Sequence, residues 1–166
     1  MLKVTDVSTF AEIRAALGID DVELPDNVLE LEMYRLNLNA EIQAVDSTLE
    51  AKFVVVKDIV EASRTTDQQG LFIATSLFAL YAVALHLTES LPIFSPKTIS
   101  DGKANISRYS DSPYKETIAA IKARYAARKT ALEEALATYD GTTATAAGLP
   151  NYMGVSTLET DPVTGL

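Results

Sequence analysis

The chain has 166 residues, 48% of them apolar and 22% charged, with a formal net charge of −9. That is the balance of an ordinary globular protein of one domain. With no cysteine, disulfides, thiolate metal sites and a cysteine nucleophile are excluded.

The charge is uneven: residues 1–70 carry 14 acids and 6 bases, a net −8, whereas residues 97–129 alone are +5. Such asymmetry orients a chain against another copy or a partner of opposite sign. It argues against general nucleic-acid binding, which needs a net basic surface to displace counterions. The start, "MLKVTDVSTFAEI", has neither a long apolar core nor a small-residue cleavage site, so no signal peptide is expected.

"STFAEIRAALG" reads as a short helix, with Thr9 and Glu12 in capping-box spacing and Gly18 as its stop. The acidic turn "IDDVELPD" follows. Leu24, Val28, Leu31, Leu38, Ile42, Val45 and Leu49 then recur at steps of a helix face, with Arg35 filling the gap. This predicts one long amphipathic helix with Pro25 in its first turn. Leu29, Met33, Leu36 and Ala40 form a second apolar line beside it, which suggests contacts on two sides.

In "AKFVVVKDIVEAS" the three valines favour a strand, whereas Phe53, Val56, Ile59 and Val60 suit a helix face. No partner strand is near, so helix is preferred. Thr66 and Gln69 supply another capping-box spacing. From Gln68 to Thr88 the chain then runs without a formal charge, long enough to cross a bilayer. Its flanks, Asp67 and Glu89, are poor interfacial anchors. Amphipathic helices on either side also need something to cover them. A central helix, apolar all round, is therefore expected, buried on nearly all sides by residues 24–49 and 113–139.

Asp101-Gly102 is a two-residue turn signal with Ile99 and Ile106 among its flanks, and predicts a β-hairpin over 97–109 projecting from the helical body. The last helix is predicted from Ser112 as cap and Pro113 as first residue to Gly141 as stop. Its seam is Tyr114, Ile118, Ile121, Tyr125, Leu132, Leu136 and Tyr139, interrupted by Arg128. A guanidinium in a seam, at Arg35 or Arg128, calls for a carboxylate or carbonyl partner, within the chain or on a neighbouring subunit. Residues 141–166 lack Lys and Arg and any sustained period, and read as an extended arm that orders on a partner. Leu149, Pro150, Tyr152, Met153 and Leu158 are its candidate contact residues. The expected architecture is all-α: a 1–140 domain of about four to five helices with the projecting hairpin, and the 141–166 arm.

No catalytic constellation stands out. His86 is the one histidine; with no acid three or four residues before it, it reads as a packed, hydrogen-bonded core residue. There is no HExxH, GxSxG, P-loop or GxGxxG pattern. Asp20, Asp21, Glu23 and Asp26 lack EF-hand spacing and sit before a helix start, where negative charge is favourable anyway. Neither an enzyme nor a cofactor or metal site is expected.

The order of elements carries the functional expectation. A short capped helix, an acidic turn, a long helix, an apolar helix ending "ALHLTES", a Pro-rich break, "ISDGKANISRYSDSPY" and a final long helix resemble the tailed-bacteriophage head-to-tail connector (adaptor) family over roughly residues 5–139. The middle, near 46–66, and the Thr/Gly-rich C-terminus depart from that pattern. The resemblance implies a virion protein, assembled in the host cytoplasm, that forms a homo-oligomeric ring, usually of twelve copies, beneath the portal. Such a ring extends the channel through which DNA passes without sequence-specific binding. It also offers a platform to a tail nozzle or tube protein, with tail fibres among the candidate partners.

The family's C-terminal segments commonly engage the portal, which would suit the arm. Lys97, Asp101, Gly102, Lys103 and Arg108 of the hairpin would face a neighbouring copy or a tail protein. A small phage membrane or lysis protein using residues 68–88 as a span is the alternative, and a small hydrolase a distant third.

Overall fold

The computed structural model describes residues 1–90, the strand residues 98–100 and 105–107, and residues 114–148, with side chains described as far as Gly141. These residues are all-α in character. The helices are α1 (Val4–Val7), α2 (Phe10–Leu17), α3 (Asp26–Leu29), α4 (Glu32–Val45), α5 (Leu49–Asp58), α6 (Thr66–Ser90) and α7 (Lys115–Gly148), with a 3-10 turn at Glu61–Ser63 between α5 and α6.

Two three-residue strands, β1 (Thr98–Ser100) and β2 (Asn105–Ser107), pair antiparallel with Ile99 opposite Ile106. Ser100 faces Asn105, so residues 101–104 lie between the strands. The turn expected at Asp101-Gly102 lies outside the described residues. Lys97, Asp101, Gly102, Lys103 and Arg108 lie outside the described residues, as do Ser112 and Pro113.

The start of α2 follows the expected capping chemistry. Thr9 Oγ1 accepts from the Glu12 amide at 3.2 Å, and the Glu12 carboxylate accepts from the Thr9 amide at 2.8 Å. Gly18 ends the helix in the left-handed region at φ 71°, which glycine adopts without a Cβ penalty. Arg14 then holds the acidic turn against α2: its Nε donates to the Leu24 carbonyl at 2.7 Å, and its guanidinium pairs with Asp26.

The long helix expected over 24–49 is three helices. The first break lies at Glu30–Leu31, where Leu31 is extended (ψ 133°). It shifts the register, so that Tyr34, Leu38 and Ile42 face the core while Leu31 is 48% exposed. Two nonlocal polar contacts hold that register. Buried Asn39 donates to the Leu2 carbonyl and accepts from the Leu2 amide, both at 2.9 Å, and the Tyr34 hydroxyl meets Ser90 Oγ at 2.8 Å. The second break lies after Val45, where Asp46 accepts from the Thr48 amide at 2.6 Å and from its hydroxyl, a local turn that competes with the helix ladder.

Residues 49–58 are helical, with Leu49, Phe53 and Val56 buried. Arg64 caps this helix by donating to the carbonyls of Val56, Lys57 and Ile59 at 3.1–3.2 Å. Its guanidinium lies 4.2 Å from the centre of the Phe72 ring, which stacks on Phe53 at 5.4 Å. The α6 capping box is one residue earlier than expected, at Thr65 and Gln68.

α6 runs through the middle of the fold and packs against α1, α2, α4, α5 and α7. Leu71, Thr75, Phe78, Ala79, Ala82, Val83, Ala84 and Leu87 are buried. The alanines permit close helix approach, and Thr75 satisfies its hydroxyl on the Leu71 carbonyl at 2.8 Å. Burial is less complete than expected. Ile73 is 47% exposed, with Leu77 and Tyr81 partly so along the same line, and α1 and α2 supply part of the cover.

α7 is longer than expected, continuing through Gly141 to Gly148, about 51 Å at 1.5 Å per residue. One exposed glycine costs a helix interior about 1 kcal/mol, too little to stop it where alanines follow. Ile121, Leu132 and Leu136 are buried, and Tyr114, Ile118, Tyr125 and Tyr139 pack against the core. Lys52 ties α5 to α7 through Asp140 at 2.8 Å.

Candidate functional site

The most concentrated polar chemistry in the interior sits where α4, α6 and α7 meet. Tyr125 of α7 donates to Glu41 Oε2 of α4 at 2.6 Å, and His86 Nε2 of α6 lies 3.4 Å from Glu41 Oε1. Burial and then the bond to Glu41 push the Tyr125 phenol up to about 12, so it stays a neutral donor. His86 is half-buried, and its Nε2 finds no hydrogen-bond partner among the described residues. The acid that approaches it comes from another helix, so no spacing along the chain around His86 signals it. The expected hydrogen-bonded core histidine is thus a half-buried one facing a carboxylate.

Chemically, this cluster ties α7 to α4 through Tyr125 and Glu41, with His86 of α6 facing the same carboxylate. Its phenol is locked as a donor, and the described cavity lies elsewhere. That cavity, about 330 Å³, lies between α1, α2 and the α3–α4 break. Phe10, Leu29 and Leu31 give it apolar walls, with Lys3, Glu32 and Arg35 at its polar positions.

The seam arginines part company. Arg35 is half-buried and pairs with Glu32 of its own helix, its Nε donating at 3.1 Å. The seam partner it needed is three residues away. Arg128 is exposed, because the α7 seam passes from Tyr125 to Leu132 while residue 128 lies at its edge. Arm residues Leu149, Pro150, Tyr152, Met153 and Leu158 lie outside the described residues.

Of the acidic turn, Asp20 accepts from the amides of Val22 and Glu23 at 3.0 and 2.9 Å, and Asp26 holds Arg14. Among the described residues no group of three or more His, Asp or Glu side chains is placed to hold a metal ion.

The surface carries what a closed core leaves over. Leu31, Met33 and Leu36 of the α4 region are 44–48% exposed, and Val55, Val60 and Ile73 lie open elsewhere. Of the second apolar line, Leu29 is buried, while Met33, Leu36 and Ala40 form a strip on the outer face of α4. No family model, curated protein or solved structure matches the chain.

Proposed function

We propose that this chain is a structural virion protein, a head-to-tail adaptor whose copies, twelve in number, form a ring between the portal and the tail and extend the DNA channel. The observation that carries the reading is the apolar strip Met33, Leu36 and Ala40, left uncovered on α4 of a fold whose core is otherwise filled. Large exposed apolar side chains in line mark an association surface. The uneven charge adds direction to that association, and heterologous contacts of this kind close into rings.

In this reading the β1–β2 segment projects as a hairpin that offers Lys97, Lys103 and Arg108 to the acidic half of a neighbour or to a tail protein. The arm, shortened to residues 149–166 by the length of α7, anchors the ring to the portal. The test is truncation after Gly148: the shortened protein stays folded and soluble but fails to join portal-bearing heads. Full incorporation would refute the arm as anchor.

The second reading is a membrane or lysis protein, favoured by α6, which is long and apolar enough to span a bilayer by length and composition. The packing of five other helices on α6 weighs against it. Solubility on expression without detergent separates the two.

A further inference from the structure

α6 and α7 run antiparallel. The Phe78 and Tyr125 rings lie 5.6 Å apart, and Arg124 Nη1 donates to the Tyr81 hydroxyl at 3.4 Å. Towards the other end of the pair, Lys52 holds Asp140 beside the stack of Phe53 on Phe72. Two packed helices leave a furrow along each side of their contact, and on the side marked by Tyr81 and Arg124 this one is open among the described residues. Its α6 wall is the part-exposed line Ile73, Leu77 and Tyr81. Its α7 wall is Arg124, Arg128, Ala131 and Ala135, which follow one another at helical steps. No acid stands on that edge of α7: by the same geometry Glu116, Glu133 and Glu134 lie on its other faces. Neither arginine pairs with a carboxylate among the described residues.

Residues 149–166 carry Glu159 and Asp161 and no base. They start at the end of α7, eight residues past Asp140. Pro150 and Asn151 suit a turn, after which an extended chain can run back along the furrow. From Gly148 to Arg128 α7 covers about 30 Å. Nine extended residues, 151 to 159, cover about the same 30 Å, which brings Glu159 abreast of Arg128. Asp161 follows on the same face of the extended chain about 6.6 Å further on. Arg124 lies one helical turn, about 6 Å, beyond Arg128 in the same direction. Between the turn and these acids, Val155 comes abreast of Ala135, and Leu158, on the opposite side of the strand, abreast of Ile73 and Leu77. Sign, spacing and chain direction agree.

We propose that residues 151–161 of the free chain lie extended in the α6–α7 furrow of that same chain, with Glu159 on Arg128 and Asp161 on Arg124. The short tether gives the arm an effective concentration of about millimolar at this furrow, which favours it over the arm of a neighbour. A partner that takes up the arm has to draw it out of the furrow, so the contact is autoinhibitory. It needs neither a ring nor a portal, and it stands or falls apart from the adaptor reading.

The absence of cysteine gives a clean background for the test, made on the full chain at low concentration and low salt. Leu77→Cys with Leu158→Cys probes the furrow. Thr130→Cys with Leu158→Cys is the control, at the same height but on the outer face of α7. The furrow pair should close as an intrachain disulfide at a rate unchanged by dilution and about tenfold above the control. Arg124→Glu with Arg128→Glu should slow it about tenfold. Adding Glu159→Lys with Asp161→Lys should restore the rate. Ile73→Cys in place of Leu77→Cys repeats the measurement at a position already 47% exposed, and far-UV circular dichroism on each variant separates loss of contact from loss of fold.

Equal rates for the furrow and control pairs, or rates indifferent to charge reversal, overturn the proposal. So do disulfides between chains that rise with concentration, which would give the arm to a neighbouring copy. The rates are measured on isolated chains, so their outcome is independent of whether heads take up the protein.

Discussion

Replacing Asn39 by alanine removes a clamp that joins the start of the chain to the middle of α4. Asn39 is 2% exposed and makes three side-chain hydrogen bonds: to the Leu2 amide and carbonyl at 2.9 Å each, and to the Arg35 carbonyl at 2.7 Å. The third matters least, because a carbonyl inside α4 also has the helix ladder to bond. The other two serve a residue that is itself 4% exposed. Losing two such bonds removes about 1 kcal/mol net each, and stranding the Leu2 groups away from water adds a further 1–3 kcal/mol. A loss of about 3–5 kcal/mol is expected, a large fraction of the roughly 5–15 kcal/mol typical of a domain.

Urea denaturation followed by circular dichroism measures the loss, and hydrogen exchange at the Leu2 amide locates it. Asn39→Asp tests the geometry. It keeps the acceptor for the Leu2 amide but turns a carboxylate oxygen towards two carbonyls, so it should be no milder than alanine at neutral pH. Asn37→Ala, half-buried on the same helix, should stay within about 0.5 kcal/mol. If Asn39→Ala cost no more than Asn37→Ala and left Leu2 exchange unchanged, the clamp would not set the register of α4.

Three further outcomes follow from the same contacts. Gly18→Ala should cost about 1 kcal/mol in thermal or urea denaturation, all of it from the left-handed backbone, since a Cβ there meets nothing within 4 Å. The Thr9 amide, then the Thr9 and Ser8 hydroxyls, hold the Glu12 carboxyl below its ordinary value. The stability it lends is present above the ordinary glutamate range and lost as pH falls through the lower folded value. Glu12→Gln should therefore flatten the fall in stability on acidification, and an unchanged acid profile would refute the link.

Tyr125 is raised to about 12, so its contribution is complete below pH 10 and lost as pH rises from about 10 towards 12. Absorbance titration at alkaline pH should show one of the seven tyrosines ionising late in the wild type. Tyr125→Phe should remove that late step.

The legible features were those in which neighbours along the chain decide the outcome. Thr9, Glu12 and Gly18 sit within one helix and its caps, and they do what their spacing predicts. The apolar run of α6 carries no charge over twenty-one residues, so its central place could be read from composition, though not the exposed line at Ile73. Features set by distant partners were not legible. The break at Leu31 looks like an unbroken helix face until Asn39 meets Leu2 and Tyr34 meets Ser90. Arg64 shows no capping pattern, yet it closes α5 by reaching three carbonyls from beyond its end. Glu41 and His86 lie 45 residues apart in sequence, so an approach of 3.4 Å leaves no periodic trace. Gly141 misled in the other direction: a glycine near a helix end is a stop only where the following residues turn away.

The same division explains why the surface is the better guide to function. Inside, the polar groups are engaged in holding short helices around α6: Arg14 on the acidic turn, Arg64 on α5, Asn39 on Leu2, and Glu41 between α4 and α7. None of these four side chains lines the cavity between α1, α2 and the α3–α4 break. Outside, Met33 and Leu36 stand half-exposed in line on α4, while on α7 exposed Lys115, Lys122, Arg124 and Arg128 share the helix with exposed Glu116, Glu133 and Glu134.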